Sequence, residues 1–202
     1  MKNKQQGFTL VELAIVLVII GLILGMAFKG KDLIDGAKVK NMQAQYNKIV
    51  AAFNIYYEKY GNYPGDGCTV ATTPAEGGAA TCSAPGTRNG LLNTADEVAA
   101  SMRLLQNANI LTNADIQSVF GQPWVMSNSA DTVANFAANT NYITLTSTNT
   151  AAADIRFVCA LDRLMDDGAP DKGIVRSGGV YSATADCWSL SGQVSMGIRV
   201  LP

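Results

Sequence analysis

Glu12 is the one ionisable side chain between Phe8 and Phe28. A carboxylate set into hydrocarbon costs several kcal/mol unless a cation or hydrogen-bond donors meet it, so its position implies either a partner or, near one end of the span, a reach to the lipid headgroups. The surrounding stretch, "KNKQQGFTLVELAIVLVIIGLILGM" from Lys2 to Met26, is long enough to cross a bilayer as a helix. A second set of reactive side chains is Cys68, Cys82, Cys159 and Cys187, all beyond that stretch. No CxxC pair and no histidine accompanies them, so zinc binding is not expected and disulfides in an oxidising compartment are. Sequence proximity favours Cys68–Cys82 and Cys159–Cys187, with about 3 kcal/mol from the shorter loop and somewhat more from the longer.

A third set lies in "LDRLMDDGAPDKG", where Asp162, Asp166, Asp167 and Asp171 offer oxygen ligands suited to calcium. The spacing is not that of an EF-hand, and Asp, Gly and Pro are equally the residues of a solvated turn. The absence of histidine removes Ser-His-Asp and Cys-His nucleophile sites, and neither a phosphate-binding glycine loop nor an HExxH helix is present. The chain is not expected to be an enzyme.

The 202 residues suit one globular domain plus an appendage, and 48% hydrophobic residues allow a sizeable core. The formal net charge of −1 gives no polyelectrolyte signature, and nucleic acid is not an evident partner. Residues 1–60 carry eight lysines against four acidic residues, whereas residues 61–202 are net acidic. The apolar run is followed by Lys29 and Lys31 rather than by a small-x-small cleavage site, so it reads as a retained anchor spanning residues 8–28. Gly21 and Gly25 form a GxxxG that suits close helix approach.

The helix should continue to Tyr60, because Tyr46, Ile49, Val50, Phe53, Tyr56, Tyr57 and Tyr60 recur at three- and four-residue spacing. Gly61 is placed to end it, Pro64 follows as a breaker, and Gly30 and Gly36 are its weak points. Over residues 8–60 it would be about 80 Å long. The aromatic run that continues to Tyr63 reads as a packing face rather than an electron path. Residues 66–90 read as a surface loop. Thr94 and Glu97 form a capping box for a second helix with Val98, Met102, Leu105 and Ile110 on one face. Strands are expected at "PWVMS", at "NYITLTST" with Ile143 and Leu145 alternating against Thr144 and Thr146, at "GGVYSAT" and at "SGQVSMGIRV". "ADIRFVCALDRLMDD" fits a short helix with Ile155, Val158, Leu161 and Met165 on one face at least as well as a strand.

Gly7-Phe8-Thr9-Leu10-Val11-Glu12, preceded by a polar leader with Lys2 and Lys4, resembles the processing site of type IV prepilins and type II secretion pseudopilins. The resemblance implies a leader of residues 1–7, a long helix over residues 8–60 and an α+β head over residues 61–202, with the helix packed against an antiparallel sheet. It also implies cleavage by prepilin peptidase between Gly7 and Phe8, N-methylation of Phe8, and a Glu12 that meets the terminal amine of a neighbouring subunit. Self-association into a filament, an inner-membrane platform protein and an assembly ATPase follow as implied partners, with the head in the periplasm before assembly and on a surface pilus or periplasmic pseudopilus after it. Some related pseudopilins bind calcium in a C-terminal loop, and many pilins bound an exposed region with a disulfide placed like Cys159–Cys187. Such pilins also carry a proline near the membrane exit, which this chain lacks. The alternative is a minor, membrane-tethered binding module or adhesin at a filament tip.

Overall fold

The computed structural model describes residues 9–68, 88–128, 135–137, 139–145 and 153–200. They fall into two compact units, Met1–Lys38 and Val39–Pro202. The helix α1 (Leu10–Tyr60) contributes to both and is helical through Gly30 and Gly36.

Within the first unit, α1 is apolar all the way round from Leu13 to Phe28. Large side chains from Leu10 to Phe28 are exposed, among them Val16, Leu17, Val18 and Ile19, four consecutive residues that point in four directions around the helix. A helix with an apolar stripe is built to dock on a core, whereas one without a polar face is built for an apolar surround. Among the described residues α1 is the one helix long and apolar enough to cross a membrane.

In the second unit the helix changes character. Val39, Met42, Ile49, Ala52, Phe53 and Tyr56 form a buried stripe at helical spacing, while Lys40, Asn47 and Glu58 face solvent. Most of the aromatic run is therefore core: Phe53 and Tyr56 are buried and Tyr46, Tyr60 and Tyr63 pack against them. Gly61 closes the helix with φ +75, a left-handed conformation that glycine adopts without a Cβ penalty, and its N–H returns to the Tyr57 carbonyl at 2.7 Å.

The helix α2 (Ala95–Asn107) starts at Thr94, whose hydroxyl accepts from the Glu97 N–H while the Glu97 carboxylate accepts from the Thr94 N–H at 2.9 Å. Glu97 does more than cap. It is buried, and its carboxylate also accepts from Asn93 N–H at 2.8 Å and, across 30 residues, from Gly67 N–H at 2.9 Å. Replacing it by Ala strands three backbone donors, so Glu97→Ala should cost about 2–4 kcal/mol in urea unfolding of the head, with Glu97→Gln losing less.

Four strands form an antiparallel sheet in the order β1 (Val125–Asn128), β2 (Asn141–Leu145), β6 (Met196–Arg199), β4 (Val175–Ser177), and β3 (Ala153–Asp154) pairs separately with β5 (Gln193–Val194). The helix α3 (Ile155–Met165) follows β3 directly, capped by the Asp154 carboxylate on Arg156 N–H. The ambiguous segment is thus helical, with Ile155, Val158 and Leu161 buried. α1 shares one core with the sheet: Met42, Ile49 and Phe53 belong to the same cluster as Ile143 and Ile198, and Tyr46 donates to the Arg199 carbonyl at 2.9 Å. The result is the α+β layout of a long N-terminal helix with an antiparallel sheet.

Two strand expectations need correction. "GGVYSAT" is not a strand; β4 lies just before it, and Val180 is 90% exposed. Gly178 and Gly179 instead allow close passage, since a Cβ on Gly179 would press on the Ile155 and Val194 side chains. The alternation expected in β2 is also absent, as all five of its residues are buried. The strand is central, and Phe136 covers the second face: its ring stacks on Tyr142 with centroids 4.3 Å apart and occupies the space that a Cβ on Gly197 would need.

Candidate functional site

The N-terminal site is built around the first turn of α1. Four backbone N–H groups at a helix start lack intrahelical partners, and side chains supply acceptors. Thr9 Oγ1 accepts from Glu12 N–H at 3.3 Å, and Glu12 Oε2 accepts from Thr9 N–H at 2.9 Å and from the Thr9 hydroxyl at 2.8 Å. Both donors converge on one oxygen of the carboxylate. The arrangement is a capping box, and it folds the Glu12 side chain back onto the first turn of α1. Gly7 and Phe8 lie outside the described residues.

Thr9 is the residue that the sequence reading passed over. Its signal was present as T-x-x-E immediately before a long apolar run. A carboxylate satisfied by its own first turn can reside at a membrane boundary at much lower cost than an isolated one, and it retains the charge that a second cation would seek.

The second region is the disulfide-bounded end of the head. Cys159 of α3 and Cys187 of the 3-10 turn Cys187–Ser189 form a disulfide with Cα atoms 5.5 Å apart across 28 residues of sequence. Cys68 is buried and disulfide-bonded, and the pairing expected with Cys82 falls outside the described residues. Trp188, half-exposed beside the bond, meets Phe157 edge-on with ring centroids 5.6 Å apart.

Asp162, Asp166 and Asp167 do converge, with a carboxylate oxygen from each within 4.8 Å of the others; Asp171 is not part of the group. Asp162 is fully buried, and its two oxygens accept from Tyr181 hydroxyl at 2.8 Å and Gly168 N–H at 3.2 Å. Asp166 accepts from Ile174 and Val175 N–H, and Asp167 from Ala169 N–H at 3.0 Å. These carboxylates are scaffolding for their own loop. The same three carboxylates lie close enough to share a cation, and a calcium ion there would need further oxygens from the loop or from water to reach its roughly six to eight ligands.

Burial pushes the Asp162 carboxyl up to about 6 from an ordinary 3.8, with the hydrogen bonds from Tyr181 and Gly168 acting the other way. Between those values the folded head binds more protons than the unfolded chain, so raising pH through this window removes stability, on the order of 3 kcal/mol. The penalty is complete above the folded value and absent below the unfolded one. Asp162→Asn, which keeps an acceptor for Gly168 N–H, should be more stable than wild type near neutral pH and should flatten the dependence of the urea midpoint on pH between about 4 and 6.

Compared with known proteins, residues 2–28 match the prokaryotic N-terminal methylation motif. No curated protein and no solved structure matches the chain. The matched segment contains Thr9, Glu12 and the apolar half of α1, and the family it defines is structural rather than catalytic. Residues 2–28 therefore give this chain the N-terminal signature of type IV pilins and pseudopilins.

Proposed function

We propose that this chain is a structural subunit of a type IV pilus or a type II secretion pseudopilus. Prepilin peptidase cuts between Gly7 and Phe8, the new Phe8 amine is methylated, and the apolar half of α1 passes from the membrane into the core of a filament. Glu12 then exchanges its hold on Thr9 for the Phe8 amine of a neighbouring subunit, a charge-assisted contact formed in a water-poor surround. The platform protein and assembly ATPase supply the work, and the head faces outward. The observation that carries this reading is the exposed apolar stretch of α1 from Leu13 to Phe28, opening on a capped carboxylate under the methylation motif.

Gly7→Ala tests the processing step. A Cβ at the residue before the scissile bond should leave the precursor uncleaved, with the full-length chain retained in membranes and none in sheared filaments. Filaments built from uncleaved Gly7→Ala chains would contradict the proposal. A second reading, a tip subunit whose head binds a ligand, draws on a groove of about 830 Å³ between α2 and the start of β1, lined by Val98, Met102, Arg103, Gln117, Trp124 and Met126. Copy number separates the two, because a tip subunit is present once per filament and a structural subunit throughout it.

A further inference from the structure

We infer that Asn89-Gly90 is a self-modifying site, at which the fold drives conversion of Asn89 to aspartate and isoaspartate. Asn89 is exposed, and Gly90 follows it with φ +79 and open space where a Cβ would stand. A side-chain amide next to glycine is the least hindered target for attack by the following backbone nitrogen. Two further groups are arranged around that attack. Asp66 Oδ2 accepts from Gly90 N–H at 3.0 Å, and its other oxygen accepts from Asn89 N–H at 3.1 Å. Leu91 N–H donates to Asn89 Oδ1 at 2.9 Å. The nucleophile's proton therefore faces a carboxylate, and the carbonyl that must take up negative charge faces a backbone donor.

In the step itself, Gly90 N forms a bond to Asn89 Cγ as its proton passes to Asp66, and negative charge collects on Oδ1 against Leu91 N–H. The Cγ–Nδ2 bond then breaks, ammonia leaves with the proton returned from Asp66, and a cyclic imide remains. Water opens that ring at either carbonyl. The strap is fixed on its far side too, since Asn141 accepts from Leu92 N–H at 2.8 Å and donates to the Gly90 carbonyl at 2.8 Å. Holding the reacting groups in place is worth rate, provided that the strap keeps them near attack geometry.

Conversion has a structural outcome. A carboxylate at residue 89 adds a negative charge to the segment whose backbone Asp66 binds, and the isoaspartyl form inserts an extra backbone carbon that moves Gly90 N–H off its acceptor. Asp66 is two residues from Cys68, so the segment entering the disulfide-bonded loop loses its tie.

Trypsin cleaves after Arg88, which places Asn89 at the start of a peptide ending at Arg103. The full chain in detergent micelles, incubated at mildly alkaline pH, is compared with the same chain unfolded in urea, and that peptide is scored for acid and isoaspartyl forms. Conversion should be more than about tenfold faster in the folded chain, and Asp66→Asn should bring the folded rate down by a similar factor. Asn93 in the same peptide serves as the internal control. Equal or slower conversion in the folded wild-type chain overturns the inference, and this comparison stands even if the Asp66 variant does not fold.

Discussion

Glu12→Ala subunits are expected to insert into the membrane and to fold their heads, yet to be absent from filaments. The substitution removes no contact of the second unit, and Ala is a good helix former, so the span itself survives. Two things are lost: the reciprocal cap with Thr9 and the charge that would draw a neighbour's amine into register. Removing one member of a desolvated ion pair leaves the other unpaired at a cost of about 3–5 kcal/mol, enough to lower incorporation at least a hundredfold. Thr9→Val separates the two contributions, since it breaks the hydroxyl contact while leaving the Glu12 charge. It should weaken assembly without abolishing it. The amount of chain in sheared filaments relative to membranes measures both, and Glu12→Ala chains entering filaments at normal levels without wild-type subunits would exclude the assembly role of this carboxylate.

The second large effect is expected in the head. Serine at both Cys159 and Cys187 frees a 28-residue separation in the unfolded chain, which on loop-closure grounds costs about 3–4 kcal/mol. For a domain whose total stability is on the order of 5–15 kcal/mol this is a large share, and the melting temperature should fall by roughly 10 °C. The bond ties α3 to the turn before β5, and the edge-on contact of Phe157 with Trp188 depends on the same closure. Calorimetry of the double variant against wild type reads the loss directly. A change below about 1 kcal/mol would mean that packing of α3 alone holds this end of the head.

What the sequence made legible was local. The capping box at Thr94 and Glu97 occupies a single turn, and the N-terminal motif and apolar span are contiguous, so pattern and spacing sufficed for both. Thr9 is equally local, and its T-x-x-E spacing to Glu12 is a cap signal that the apolar run around it obscures. Glu97's third ligand, Gly67, was out of reach, because a hydrogen bond across 30 residues leaves no trace in periodicity. β2 misled for a related reason. Alternating Thr and Ile describes a strand with one wet face, and only the placement of Phe136 over Tyr142 makes both faces dry. In the acidic loop the spacing pointed to the three carboxylates that do converge, but not to Tyr181, which lies 19 residues away and donates to Asp162. In "GGVYSAT" strand propensity was outweighed by two glycines that the fold uses for close passage.

The central claim is that the chain is cut before Phe8 and built into a filament through the new terminus. The most direct measurement is mass spectrometry of the N-terminal peptide in filaments sheared from cells that express the chain natively, alongside their membrane fraction. The account predicts a peptide beginning at methylated Phe8, abundant in the sheared fraction for a surface pilus and in the envelope for a pseudopilus. A chain beginning at Met1 or Lys2 in both fractions would contradict it.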